Sequence, residues 1–335
     1  MRISHRRYMI SLMNYHTLWP IAIILMLSIL TSCAHHEPEQ TKDESIQKPR
    51  QTVGNMLIER EPTPEDLNRD FVEELLVEKG LDRLRIHGLI YDPRVVIDTG
   101  FIIRNLFNTK PGASASKSQY MYYSPRFIPR GRTFIEQNRE AFEGLRNRYG
   151  ISPEIITAIL IMESKLGTYP ERYRAFRVYA NLALANDPDV LVALRDTNGK
   201  RYPGLNKEKT MERARAKGRW ALGELYTLIL ISDELQWDPL EIKGSIAGAL
   251  GPAQFIPSTF RKYGIDGDSD GRIDPFCMAD AMASIAHFLN HSGWTETGPD
   301  EKRRTALWIY NHSDIYVNTI MKLYKELELS MPSGI

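Results

Sequence analysis

The chain has 335 residues, is 42% hydrophobic and carries a formal net charge of +1. That length and apolar content suffice for one large or two moderate domains with a sizeable core. The near-neutral charge, with no basic stripe and no base-stacking module, gives no case for a nucleic-acid partner.

The N-terminus reads as a targeting segment, not as part of the fold. Arg2, Arg6 and Arg7 precede an apolar stretch from about Leu18 to Leu30, shorter than the ~20 residues of a comfortable membrane span. It ends in Leu30-Thr31-Ser32-Cys33-Ala34, which resembles the bacterial lipobox. The resemblance implies a lipoprotein signal peptide over 1–32 and lipid on Cys33. With Ala34 in place of an Asp, it also implies sorting to the outer membrane, on its periplasmic face. An ordinary secretory signal with an incidental cysteine is the alternative. The other cysteine is Cys277, expected as a small buried filler, so an acylated Cys33 leaves no intramolecular disulfide. Residues 33–66 are polar and hold Pro38, Pro49, Pro62 and Pro64. They read as a disordered tether.

The body is expected over 67–329. A first helix runs from about Asp66 or Leu67 to Lys79. Pro111–Ser118 is a small-residue loop, either mobile or part of a binding rim, followed by an aromatic and basic stretch from Tyr120 to Arg132. Further helices are predicted over 133–149, Met211–Leu235, 279–290 and 314–328. Apolar residues follow helical periods throughout and few alternating runs occur, so the fold class is mainly α. Trp294 and Trp308 read as core, with a sugar-stacking tryptophan as the alternative. Asp233, Glu234 and Asp238 read as solvated. His287 and His291 read as a helix surface; their spacing of four could bind zinc in principle, but no Glu follows the first in the manner of a zinc motif.

The segment Ser152–Gly167 carries the first chemistry. Ser152 suits an N-cap, Pro153 the first helical position and Gly167 the stop. Ile156, Ile159 and Leu160 share a face, and Glu163 falls on it. A carboxyl there is poorly hydrated and near the negative end of the helix dipole, and both effects favour its protonated form. Such an acid is what glycosidic bond cleavage requires. A glutamate that swings out to solvent at the helix end is the other reading. In Lys243–Ser258, three glycines let backbones approach closely, while Ser245 and Gln254 offer polar groups to sugar hydroxyls or an acetamido group and Phe255 an apolar face. Taken in isolation, the stretch reads more simply as a tight helix-packing turn without ligand. Asp266-Gly267-Asp268-Ser269-Asp270-Gly271-Arg272-Ile273-Asp274 begins like an EF-hand calcium loop, with oxygens from Asp266, Asp268 and Asp270 and the backbone carbonyl of Arg272. The closing position is Cys277 instead of a Glu. Asp274 is expected to close a shortened loop, with calcium in a structural role; a metal-free acidic turn is the alternative.

Glu163-Ser164-Lys165-Leu166-Gly167 resembles the Glu-Ser/Thr-x-x-Gly signature of lysozyme-like lytic transglycosylases. Gly244–Ser258, Tyr310-Asn311-His312-Ser313 and Tyr123–Ile128 resemble further motifs of the membrane-bound lytic murein transglycosylase B family, in the family's order. The resemblance covers about residues 67–329. It implies a lysozyme-like catalytic core (about 133–300, including an EF-hand-like calcium loop at 266–277), an α-helical domain (about 67–132 plus later helices) and C-terminal helices over 301–329, around a groove for peptidoglycan strands. It implies Glu163 as sole acid then base, with Tyr123, Ser245, Gln254, Tyr310 and Asn311 as substrate contacts. The reaction it implies is cleavage of the β-1,4 bond between N-acetylmuramic acid and N-acetylglucosamine with a 1,6-anhydro end, needing no cofactor for catalysis. A lysozyme-type hydrolase and a non-catalytic peptidoglycan-binding lipoprotein are the rival readings.

Overall fold

The structure is a computed structural model that describes residues 63–107 and 126–329, all within one compact unit, Arg60–Ile335. The lipobox with Cys33, nearly all of the tether, the Pro111–Ser118 loop and Tyr123 lie outside the described residues. Within them the chain forms thirteen α-helices, the mainly α class that the apolar periods predict.

The first helix, α1 (Pro64–Glu78), starts slightly ahead of expectation. Thr63 caps it, Pro64 occupies the first turn, and Asp66 returns a hydrogen bond to the Thr63 amide; this reciprocal cap satisfies amides that the helix itself leaves open. Next come α2 (Arg83–Ile90) and α3 (Gly100–Phe107). The predicted helix over 133–149 is two helices, α4 (Phe127–Gln137) and α5 (Arg139–Tyr149). They part at Asn138, whose side-chain amide donates to the Phe134 carbonyl at 2.8 Å, alongside its own backbone amide at 3.1 Å. The glutamate helix is α6 (Pro153–Ser164). A two-residue strand, β1 (Tyr173–Arg174), pairs antiparallel with β2 (Lys243–Gly244). Between them lie α7 (Ala175–Ala183), α8 (Pro188–Asn198) and the 28-residue α9 (Glu208–Leu235). The chain ends in α10 (Pro257–Tyr263), α11 (Met278–His291), α12 (Asp300–Tyr310) and α13 (Asp314–Leu329).

The buried apolar residues form two clusters. One gathers α6 with α4, α11 and α13, through Phe127, Ile159, Ile285, Ile320 and their neighbours. The other gathers α1 to α3 with α7 and most of α9, through Val72, Ile102, Phe176 and Leu225. Residues 175–229 thus pack with the N-terminal helices and not with α6. Two segments belong to both clusters: α9 gives Ile229 to one and Ile231 to the other, and the turn after β2 gives Leu250 to one and Ala253 and Phe255 to the other.

Several expectations change. Trp294 is core, but Trp308 is 45% exposed, its ring against His312. Cys277 is only partly buried, and its sulfur lies 3.4 Å from Asp268. Asp233, Glu234 and Asp238 are exposed but paired, with Arg85, Arg261 and Arg94. Among the described residues no helix is long and apolar enough to cross a membrane.

Candidate active site

The sequence suggests one apolar face on α6. The structure buries the helix all round: Ile155, Ile156, Ala158, Ile159, Leu160 and Ile161 have no exposed surface, because α13 and α4 cover faces the local pattern does not reveal. Ser152 is at the N-cap, but its hydroxyl has no partner and its amide donates to Glu296 at 2.8 Å. The helix stops at Lys165 and not at Gly167. Lys165, Leu166 and Gly167 are all left-handed, with φ of 53°, 61° and 75°, and turn the chain sharply away just past the carboxyl.

Glu163 keeps a small part of its surface open, yet the atoms packed around it strip most of its water. That burial pushes its carboxyl up to about 7. The hydroxyl of Tyr316 pulls weakly the other way; it faces the carboxyl without closing into regular hydrogen-bond geometry. Tyr310 lies within electrostatic reach too, and burial together with the Glu163 charge raises both phenols well above their ordinary range. The site is therefore a desolvated carboxyl beside the hydroxyls of a stacked tyrosine pair, both neutral, an arrangement able to deliver one proton and take one back.

Tyr310 connects this carboxyl to the glycine-rich turn. Its hydroxyl donates to the Ala253 carbonyl at 2.6 Å, and its ring packs on Phe255 and Phe288. Within the turn, the Ser245 hydroxyl oxygen accepts from the amides of Ala247 and Ala249 at 3.3 and 3.1 Å, which leaves its proton for a ligand. Gln254 is left-handed, at φ 50°, and folds its side-chain amide onto the Gly251 carbonyl at 2.9 Å. Gly248, at φ 83°, lies under Tyr179, whose hydroxyl donates to its carbonyl at 2.9 Å, and a β-carbon there would strike that ring. Asn311 is exposed just past α12. Glu163, Tyr310 and the stretch around Gln254 are thus brought together. Ser245 belongs to the same turn as Gln254, and Asn311 follows Tyr310 at the helix end.

Sequence reasoning missed two residues. Tyr316 reads as one more apolar position of α13. Glu171 lies in the irregular segment after α6, where no period marks it. Its Oε1 accepts the Gly251 amide at 2.6 Å. Burial pushes its carboxyl up to about 7, against the Gly251 amide and the charge of Lys243. It borders an open pocket of about 580 Å³ with Trp237, Lys243 and Phe276 on its walls.

In the acidic loop, oxygens of Asp266, Asp268 and Asp270 lie within 4.8 Å of one another, and such hard oxygens suit calcium. Asp274 does not join them; its carboxylate accepts the Phe276 amide at 2.8 Å. The group that reaches back into the loop is Asp280, 2% exposed, which accepts the amides of Gly267 and Asp274 at 2.7 and 2.6 Å. Asp268, Cys277 and Asp280 form a second cluster, though a thiol is a softer donor than calcium prefers.

A family model described as Transglycosylase SLT domain matches residues 95–306. The chain is 24% identical over 302 residues to membrane-bound lytic murein transglycosylase B of Escherichia coli K12, across 84% of this chain and 73% of that protein. The fold is shared with solved lytic transglycosylases. The E. coli enzyme Slt35 in complex with calcium aligns at TM-score 0.60 and 21% identity, over 78% of this chain and 93% of that one. SltB3 of Pseudomonas aeruginosa, in complex with NAG-NAM-pentapeptide, aligns at TM-score 0.61 and 19% identity, over 79% of each.

Proposed function

Given that the chain belongs to the transglycosylase SLT domain family, we propose that this enzyme cleaves the β-1,4 bond between N-acetylmuramic acid and N-acetylglucosamine in peptidoglycan with Glu163 as its only acid and base. The observation that carries the reading is the Glu163 carboxyl, raised to about 7 and within reach of Tyr310 and Tyr316. Protonated Glu163 gives its proton to the glycosidic oxygen as the bond to the muramic C1 breaks. The 2-acetamido group supports the positive charge that develops. Ionised Glu163 then takes the proton of the same sugar's 6-hydroxyl, whose oxygen closes on C1 to leave a 1,6-anhydro end. No water is consumed, because a tethered hydroxyl has a large effective concentration. Ser245, Gln254, Tyr310 and Asn311 would bind the strand, with Tyr123 beside them. The complex of SltB3 with NAG-NAM-pentapeptide supports that substrate class.

Two finer readings accompany it. Calcium would be held by Asp266, Asp268 and Asp270 with a structural role, supported by the calcium complex of Slt35. The enzyme would be tethered through lipid on Cys33 to the outer membrane, supported by the lipobox-like sequence and by the membrane-bound relative. Mass spectrometry of the products of digested murein sacculi tests the reaction. Anhydro ends are expected from the wild type and no soluble fragments from Glu163→Gln. Products heavier by one water would assign a lysozyme-type hydrolase instead, and sacculus binding without release would assign a binding lipoprotein.

A further inference from the structure

We infer that Glu171 is a positioning residue, which fixes the turn carrying Gln254 by accepting the Gly251 amide proton and so sets how firmly that turn grips a glycan. This rests on the reading of Gln254 as a glycan contact. Glu171 belongs to the connection between α6 and β1, and Gly251 follows 80 positions later, with the two joined by the 2.6 Å bond. Gly251 is buried, at φ 61°, and a β-carbon on it would collide with the Pro275 carbonyl oxygen. Its amide is closed off from water, and the carboxylate is the partner that satisfies it. The carbonyl of the same residue accepts both the backbone amide of Gln254, at 3.0 Å, and its side-chain amide, at 2.9 Å. Gln254 is itself left-handed, a conformation that residues with a β-carbon hold only under constraint.

The turn is closed at its base by the Leu250 amide on the Phe255 carbonyl at 2.8 Å. It spans the seam between the two packing clusters, so neither core alone fixes its tip. Glu171 supplies the missing hold, through the short bond from the Gly251 amide to its Oε1. Lys243 faces the carboxylate, and Asp238, Glu241 and Asp274 share the pocket wall with it. Asp238 and Glu241 are already paired with Arg94, and Glu241 also with Arg174. The role is that of an acceptor at a fixed reach, not that of a charge.

Two variants separate these. Glu171→Gln keeps an acceptor at the same reach and removes the charge. Glu171→Asp keeps the charge and draws the acceptor back by one methylene. Release of soluble fragments is measured against sacculus concentration, with Tm recorded for each protein. Glu171→Asp is expected to raise the apparent KM about five- to tenfold with kcat within about twofold, while Glu171→Gln restores both to within about twofold of wild type. Wild-type KM in both variants, equal damage in both, the reverse order, or a fall in Tm with KM unmoved would each overturn the assignment. A wild type that releases nothing would sink the functional reading, not this one. The same order is then expected in the apparent Kd for sacculi, and equal Kd values would refute it.

Discussion

At Glu163 one desolvated carboxyl shapes both reaction and stability. Its proton is needed for the first step, so activity is expected to fall as pH rises above about 7; a rate flat from pH 6 to about 9 would contradict its role as acid. Glu163→Gln is expected to lose at least ~100-fold in fragment release. The same substitution should stabilise the fold. In the folded chain the carboxyl titrates near 7 against an ordinary value near 4.5, so the folded state binds the proton more tightly. The penalty is absent below the lower value, grows as pH rises between the two and is complete above the upper one. It amounts to at most ~3 kcal/mol. Melting curves of Glu163→Gln and wild type should therefore coincide near pH 4 and separate toward pH 8. Glu163 was legible because its position follows from local spacing and a short motif. Tyr316 and Glu171 were not, because each acquires its meaning only from a partner far along the chain: α6 for Tyr316, and Gly251 for Glu171.

The helix α6 shows what a local pattern fixes and what it leaves open. Ser152-Pro153 places its start and the apolar residues its extent. The breadth of its burial comes from α4 and α13, which no window on α6 contains. Ile159 has no exposed surface, so Ile159→Ala is expected to cost about 2–5 kcal/mol in chemical denaturation; a loss under ~1 kcal/mol would mean the helix is less enclosed than it is here. Asn138 and Lys165 make the opposite point. An asparagine whose side chain shares a carbonyl within a helical pattern, and a lysine that accepts a left-handed cap, are choices among near-equal local options that tertiary packing decides. At α10 a helix start is likewise fixed from outside. Buried Glu224 of α9 accepts the Ser258 amide and hydroxyl at 2.9 and 2.8 Å, which places a carboxylate at the positive end of α10.

On the scale of the molecule, composition and period read the mainly helical class, and the motifs read the order of the site segments. The interleaving of the two clusters was not legible, because it depends on which apolar faces meet. The acidic loop adds a prediction. If calcium binds there, raising it from chelated to saturating levels should lift Tm by several degrees, as for any ligand that prefers the folded state; unchanged melting of protein first shown to be metal-free would count against the site. One feature constrains motion throughout. The unbroken α9, about 42 Å long at the usual rise, is embedded in both clusters at its C-terminal end. Hinged gaping between them would require that rod to snap or slide, so the two clusters should move as one rigid body, and the short turn at the seam is left as the part free to give.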